Sequence, residues 1–135
     1  MKELKIKYNN WIPFPGYFAM CIFDTIYIQE YNRPLGVNRS TINHEGIHLC
    51  QQEDFIPNPN NKKWKMYLGG CVFYILYFTE WLIKLLISMF TLGNVKAYES
   101  ISFEQEAYNN QYDYNYQDNR RRFGWIKYLF KLVWK

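Results

Sequence analysis

From Trp64 to Leu92 nearly every residue is apolar, and Glu80, Lys84 and Ser88 recur every four positions as one narrow polar stripe. This spacing predicts a single long helix, jointed at Gly69-Gly70 and closed by Gly93 as a C-terminal cap. Upstream, GYFAMCIFDTIYIQEYNRPLG (16–36) is dense in aromatic and β-branched residues, is interrupted at Asp24 and ends in a turn signal. It predicts one strand or a hairpin of two. Between these lies NRSTINHEGIHLCQQEDFI (38–56), with Ser40 and Thr41 as capping candidates and Pro57 as a stop, because a residue preceding proline avoids the helical region. This is predicted to be a helix, and PNPNNKK (57–63) a loop. Further on, Ser102 and Gln105 form a capping box that opens a third helix. The tail FGWIKYLFKLVWK (123–135) reads as a short amphipathic helix with Lys127, Lys131 and Lys135 in register. No internal repeat or second pattern interrupts the chain, so residues 1–135 are read as one α+β domain, mainly helical, with a short N-terminal sheet.

Composition narrows this further. Hydrophobic residues make up 49% of the 135 and aromatics 21%, which excludes a disordered or collagen-like chain. The formal charge is only +4, concentrated in Arg120, Arg121 and Arg122 and the tail lysines. Nucleic acid is not an expected partner, because the Tyr-rich stretch before the arginines carries Asp113 and Asp118 and forms no continuous basic stripe. Three cysteines, Cys21, Cys50 and Cys71, are an odd number without a CxxC pair, which suits buried thiols in a reducing compartment. The N-terminus has no apolar run ending at a small-residue cleavage site, so cytoplasmic residence is expected. Residues 66–90 are long enough to cross a bilayer, but Glu80 and Lys84 would be costly there, and a soluble core helix is the preferred reading. The basic tail fits either contact with a membrane surface or packing onto the domain.

The chemistry concentrates in TINHEGIHLCQQ (41–52), which holds both histidines of the chain. On a helix His44 and His48 lie one turn apart on one face, so both imidazoles can converge on one metal ion. Glu45 is about 100° round the helix from His44. In zinc peptidases this His-Glu-x-x-His spacing keeps the glutamate off the metal and beside the water that the metal acidifies, where it acts as general base. A catalytic zinc normally has three protein ligands. With no further histidine in the chain, a carboxylate from another helix is the natural third, and ISFEQEAYNN (101–110) offers Glu104 and Glu106.

His44-Glu45-x-x-His48 followed by a helical glutamate resembles the gluzincins, the thermolysin-like zinc peptidases, whose second helix carries a zinc-binding Glu and, four residues later, an Asp that orients a histidine. The resemblance implies a zincin-like fold, one Zn2+, Glu45 as catalytic residue and a peptide or protein substrate held along an edge strand near residues 17–28. Glu106 with Asn110 in place of the Asp is the preferred match, and Glu104 the fallback ligand. A small Ala107 beside Glu106 would permit close approach to the motif helix. Gln52, one turn beyond His48, is a further candidate to hydrogen-bond near the site. NHEGIHLCQQEDF together with ISFEQEAYNN is also similar to small bacterial proteins described as zinc metallopeptidases. The alternative is a non-catalytic metal-binding or membrane-associated protein that retains a zincin-like fold.

Overall fold

The computed structural model describes residues 2–57 and 63–135, so most of the 57–63 loop lies outside the described residues. The chain is α+β. Its sheet has three strands, β1 (Lys5–Asn9), β2 (Ala19–Ile22) and β3 (Thr25–Gln29), in the order β1-β3-β2, with β1 parallel and β2 antiparallel to the central β3. Alternation along β3 puts Ile26 and Ile28 fully inside, as expected of a strand with one face on a core. The charged strand β1 was not signalled by the sequence pattern. It is recruited by main-chain pairing with β3 from Lys5↔Thr25 to Asn9↔Gln29.

The β2–β3 turn consists of Phe23 and Asp24, with Phe23 at φ 55°, a conformation that bulky residues rarely adopt. Two contacts hold it there. The Phe23 ring meets Tyr67 and Tyr74 edge-on at centroid distances of 4.9 and 5.9 Å, and the Phe23 N–H donates to the Tyr74 hydroxyl at 3.0 Å.

Four α-helices follow among the described residues: α1 (Arg39–Glu53), α2 (Lys63–Phe90), α3 (Ser102–Asn110) and the single turn α4 (Tyr116–Asn119). The cap of α1 is Asn38, without a side-chain hydrogen bond, and not Ser40 or Thr41. The long helix α2 runs unbroken through Gly69-Gly70. Its glycines are close-packing points: a Cβ at Gly69 would meet the Gln52 carbonyl and Ile56, and one at Gly70 would meet the Phe23 ring. Gly93, at φ 78°, closes α2 with its N–H on the Ser88 carbonyl at 2.7 Å.

The expected Ser102/Gln105 capping box does not form. Ser102 instead donates its backbone N–H and hydroxyl to the Glu80 carboxylate at 2.9 and 2.6 Å, so α3 is capped from α2. Its other end is held from α1, where Asn43 Nδ2 donates to the carbonyls of Gln111 and Asp113 at 2.9 and 3.0 Å. The amphipathic tail helix is also corrected. Gly124–Tyr128 is a 3-10 turn, after which the chain runs out to a bridge between Trp134 and Val95. Lys84 captures the carbonyls of Leu129 and Lys131 at 2.9 and 3.1 Å, and Gln105 also donates to Lys131. A carbonyl taken by a side chain is not available for a helical ladder. The main cluster of core residues is Phe73, Ile101, Phe103 and Trp125.

Glu80 thus serves two partners, the first turn of α3 and Lys84 at 3.8 Å. Glu80→Ala should lower the unfolding free energy by about 3 kcal/mol, because it leaves a buried ammonium without its counter-charge and a helix end uncapped. Urea denaturation measures this, and a loss below about 1 kcal/mol would mean that α3 does not depend on its cap from α2.

Candidate metal centre

Helix α1 is polar in composition, yet ten consecutive residues, Asn43 to Gln52, are buried. Burying polar groups costs free energy unless each finds a partner. His44 and His48 do so against α3. His44 Nε2 and His48 Nε2 lie 3.2 Å apart, and each is 3.2 Å from one oxygen of Glu104. The three side chains therefore close a triangle in which His44 faces Oε2 and His48 faces Oε1 of the Glu104 carboxylate.

A network behind His48 fixes its tautomer. Gln51 Nε2 donates to the Phe103 carbonyl at 3.0 Å and to Glu106 Oε2 at 2.8 Å, and both of these groups are acceptors only. The Gln51 amide oxygen must then face His48 Nδ1, 2.8 Å away, so Nδ1 carries a hydrogen and a neutral His48 turns an Nε2 lone pair toward the triangle. The His48 lone pair and the Glu104 carboxylate repel one another unless a proton or a metal ion lies between them. Glu104 Oε2 shows the deficit directly: it is buried beside His44, and among the described residues no donor is oriented to hydrogen-bond it.

The arrangement fits a metal ion. His44, His48 and Glu104 form a buried group that could hold one. Tetrahedral zinc with bonds of about 2.0–2.1 Å to nitrogen and oxygen has ligand–ligand edges of about 3.3–3.4 Å, close to the separation of the two nitrogens and to the distance from each nitrogen to the carboxylate oxygen it faces. Without metal, a proton takes this place. Burial alone would push the His48 pKa down, but the Glu104 carboxylate outweighs it, with smaller help from Glu45 and Gln51, and raises it to about 9. Burial opposes ionisation of Glu104 as well, yet the two histidines hold its carboxyl well below the usual range.

No family model, curated protein or solved structure matches this chain. The site's meaning therefore rests on its own geometry.

The structure brings together His44, His48 and the fallback Glu104, and places Glu106 elsewhere. Both carboxylates are buried, on opposite flanks of the Phe103–Ala107 stripe, as their separation of about 200° round a helix requires. Glu106 accepts from Arg120 Nε and the Tyr116 hydroxyl, each at 2.8 Å, and from Gln51. Arg120 in turn grips Asp54 through two bonds of 2.9 and 2.7 Å. Glu106 is consequently a partner of the group that orients His48, one step removed from the triangle. The Asn110 amide does not orient a histidine but donates to the Glu106 backbone carbonyl on its own helix at 2.7 Å. Gln52 faces Tyr74 at 3.4 Å, and the neighbour Gln51 takes the role expected of it. Cys50 is buried and outside the group.

Sequence reasoning missed three tyrosines. Tyr77 of α2 donates to Glu104 Oε1 at 2.7 Å, and the Tyr108 ring lies edge-on to His44 at 4.6 Å. Tyr98 and Tyr108 also line a cleft of about 350 Å³ that reaches His44 and Glu45 and is bordered by Phe18 and Ala19 at the start of β2. Nothing in a tyrosine within an apolar run distinguishes such a role from core packing. The pKa of Glu45, in this cleft, is raised by burial, which outweighs the two histidines and the Cys21 backbone amide. Burial together with Glu104 and Glu45 pushes the Tyr108 hydroxyl up to about 12.

Glu104→Gln should weaken Zn2+ binding at least a hundredfold, on the scale of losing a ligand. Glu106→Gln should retain binding within about tenfold to a hundredfold, as for a group acting through another, while destabilising the fold by about 1–3 kcal/mol through the weakened hydrogen bonds to Arg120, which keeps Asp54 as its counter-ion. Zinc titration and denaturation of both variants check this, and equal losses of affinity would erase the distinction.

The pH dependence follows with a definite sign. Because the His48 pKa is raised above 6.5, the pair's contribution to metal-free stability is complete below pH 6.5 and fades as pH rises through about 9. Because Glu104 is depressed below 4.5, its contribution is complete above pH 4.5 and fades in stronger acid. The Tm difference between the metal-free protein and Glu104→Gln should therefore be largest between pH 4.5 and 6.5. Zn2+ binding at neutral pH should release one proton from His48, measurable by calorimetry in buffers of different ionisation enthalpy; no release would contradict the protonated pair.

Proposed function

We propose that this chain is a zinc-dependent metallopeptidase with a zincin-like arrangement, acting in the cytoplasm, where its three unpaired thiols would stay reduced. The observation that carries the reading is the group of His44, His48 and Glu104, of which His44 lines a cleft that also contains Glu45. A zinc ion held by those three residues would supply Lewis acidity, polarising a peptide carbonyl and acidifying a water.

The remaining work falls to the chain's own groups. Glu45, with its pKa raised by burial, is suited to accept the proton of the attacking water and return it to the leaving amine. Its second interaction, with the Cys21 backbone amide, fixes the carboxylate relative to β2. Tyr108 keeps its proton at neutral pH and can donate a hydrogen bond to an oxyanion developing in the cleft.

Substrate binding is supported by the strand register. In a hairpin with a two-residue turn, the flanking pair Ile22↔Thr25 is hydrogen-bonded, so Cys21 and Ala19 direct their backbone groups away from β3. The Cys21 carbonyl indeed accepts from Tyr74 at 3.1 Å. Ala19 borders the cleft, where its N–H and C=O can pair with an extended peptide irrespective of side chain.

One observation favours a non-catalytic, metal-binding reading: each ligand already has an internal partner at 3.2 Å, so the group is partly satisfied without turnover. Glu45→Gln separates the two. It should leave zinc affinity within about threefold while lowering cleavage of a peptide library by about a thousandfold or more, the combined scale of general-base loss and charge removal. Absence of any cleavage by the zinc-loaded wild type would favour the non-catalytic reading. Cleavage that survives the substitution would remove Glu45 from the mechanism.

A further inference from the structure

Helix α2 divides its charge and its grease between two faces. From Met66 to Phe90 the only charged residues are Glu80 and Lys84, and both are buried against the rest of the chain, Glu80 at Ser102 and Lys84 at the carbonyls of Leu129 and Lys131. The opposite face exposes Leu68, Ile75, Phe78, Leu82, Leu86 and Met89. At 100° per residue the exposed positions cover about half the circumference, over about 35 Å of helix. The most apolar 18-residue window is only 22% buried, so most of the apolar surface of α2 lies outside the core of the chain. A soluble monomer rarely presents so large an uncharged surface. Of the hydroxyls on this arc, that of Thr79 is satisfied inside the helix by the Ile75 carbonyl at 2.7 Å and needs no water, and that of Tyr67 lies near the end of the helix.

We propose that α2 lies in the plane of a lipid bilayer, its uncharged face immersed among the acyl chains and the rest of the protein above the headgroups. The two ends of the helix carry the residues such an interface selects. Trp64 lies between Lys63 and Lys65 at one end, and Trp134 beside Lys135 is bridged to Val95 at the other. Aromatic and lysine side chains favour the headgroup level, the lysines with a preference for anionic lipid. Phe90 and Leu92, 87% and 91% exposed, extend the apolar surface past the end of the helix.

A second copy of the chain is a poorer occupant. A rigid partner helix covers a seam roughly 100° wide or less, whereas a fluid layer covers the whole half-cylinder. The small residues that would let two helices approach closely, Gly69 and Gly70, face inward onto Ile56 and Phe23. A helix crossing the bilayer is excluded by its own partners. The β2–β3 turn packs at Gly70, Glu104 at Tyr77 and the tail at Lys84. A transverse α2 would carry the open edge of β2 and irregular backbone into hydrocarbon, where neither is tolerated.

This inference is independent of the peptidase reading. The full-length protein should float with phosphatidylcholine–phosphatidylglycerol vesicles. Leu82→Glu combined with Leu86→Glu should lower vesicle partition about tenfold or more at unchanged zinc affinity, since both positions are exposed. Depth is read with single labels: Cys71, the exposed thiol, and Phe78→Cys and Met89→Cys in a Cys71→Ser background, each quenched by lipids spin-labelled at one acyl depth. Equal quenching near both ends and at the middle supports an in-plane helix, and this measurement stands even if the double variant fails to fold. Deeper quenching at Phe78→Cys alone would mean that α2 crosses the bilayer. Failure to bind vesicles, with a dimer in sedimentation, would assign the face to a second copy. Either result overturns the proposal.

Discussion

The fold depends on a helix that should not be buried by composition and is. Six of the ten buried residues from Asn43 to Gln52 are polar: Asn43, His44, Glu45, His48, Gln51 and Gln52. Left unpaired, each would cost about 1–3 kcal/mol, a sum comparable with the whole stability of a small domain. Satisfying them recruits the other elements. Asn43 ties α1 to the end of α3 and, through Gln117, to α4. Gln51 ties it to the start of α3. Arg122 closes its C-terminal end by donating to the carbonyls of Asp54 and Ile56. With α3 held at both ends by side chains from two different helices, Glu104 is delivered to the histidines at a fixed distance.

The two buried carboxylates of α3 differ in what neutralises them. Glu106 faces Arg120, a guanidinium that burial disfavours but that Asp54 and Glu106 together keep charged, with its pKa raised. A permanently charged partner in bidentate geometry leaves no room for a competing cation. Glu104 faces two imidazoles, which can give up their protons, and the neutral Tyr77 hydroxyl. This difference in partner, and not any difference between the two glutamates, makes one a structural anchor and the other a candidate metal ligand. The Asp54–Arg120–Glu106 set carries a net negative charge and touches Gln51, so its field reaches His48 through an oriented amide and favours a basic Nε2.

The legible parts of the sequence were those set by local periodicity. The motif helix, the β2–β3 hairpin, the span of α2 and its Gly93 cap follow from spacing and turn chemistry within a dozen residues of each position. What was not legible depends on partners far along the chain. The choice between Glu104 and Glu106 turns on Arg120, 14 residues beyond Glu106 and 66 beyond Asp54, and no helical wheel of α3 contains it. The Ser102 capping box lost to a carboxylate 22 residues away, and the tail helix lost to Lys84, 45 residues before Leu129. Strand β1 has too few apolar residues to announce itself, since its stability comes from main-chain bonds to β3 and not from a buried face.

The polar stripe of α2 shows how one pattern supports two environments. Glu80 and Lys84 argue against lipid only on the premise that charges within an apolar run must meet whatever surrounds it. The premise fails when one face is covered by the protein itself. Both charges are consumed by backbone groups of α3 and the tail, so the residues that make α2 look soluble are the ones that bind it to the domain. The outward residues then face their surroundings without any charge at all. Tyr77, inward and near the middle of α2, holds Glu104, while its neighbour Phe78 faces out. In the proposed in-plane placement of α2, Tyr77 would hold Glu104 on the side of the helix away from the acyl chains, about one helix diameter, ~10 Å, across. The cleft is then brought to chain segments held close to the membrane surface, a restriction on substrate that its backbone-pairing edge does not itself impose.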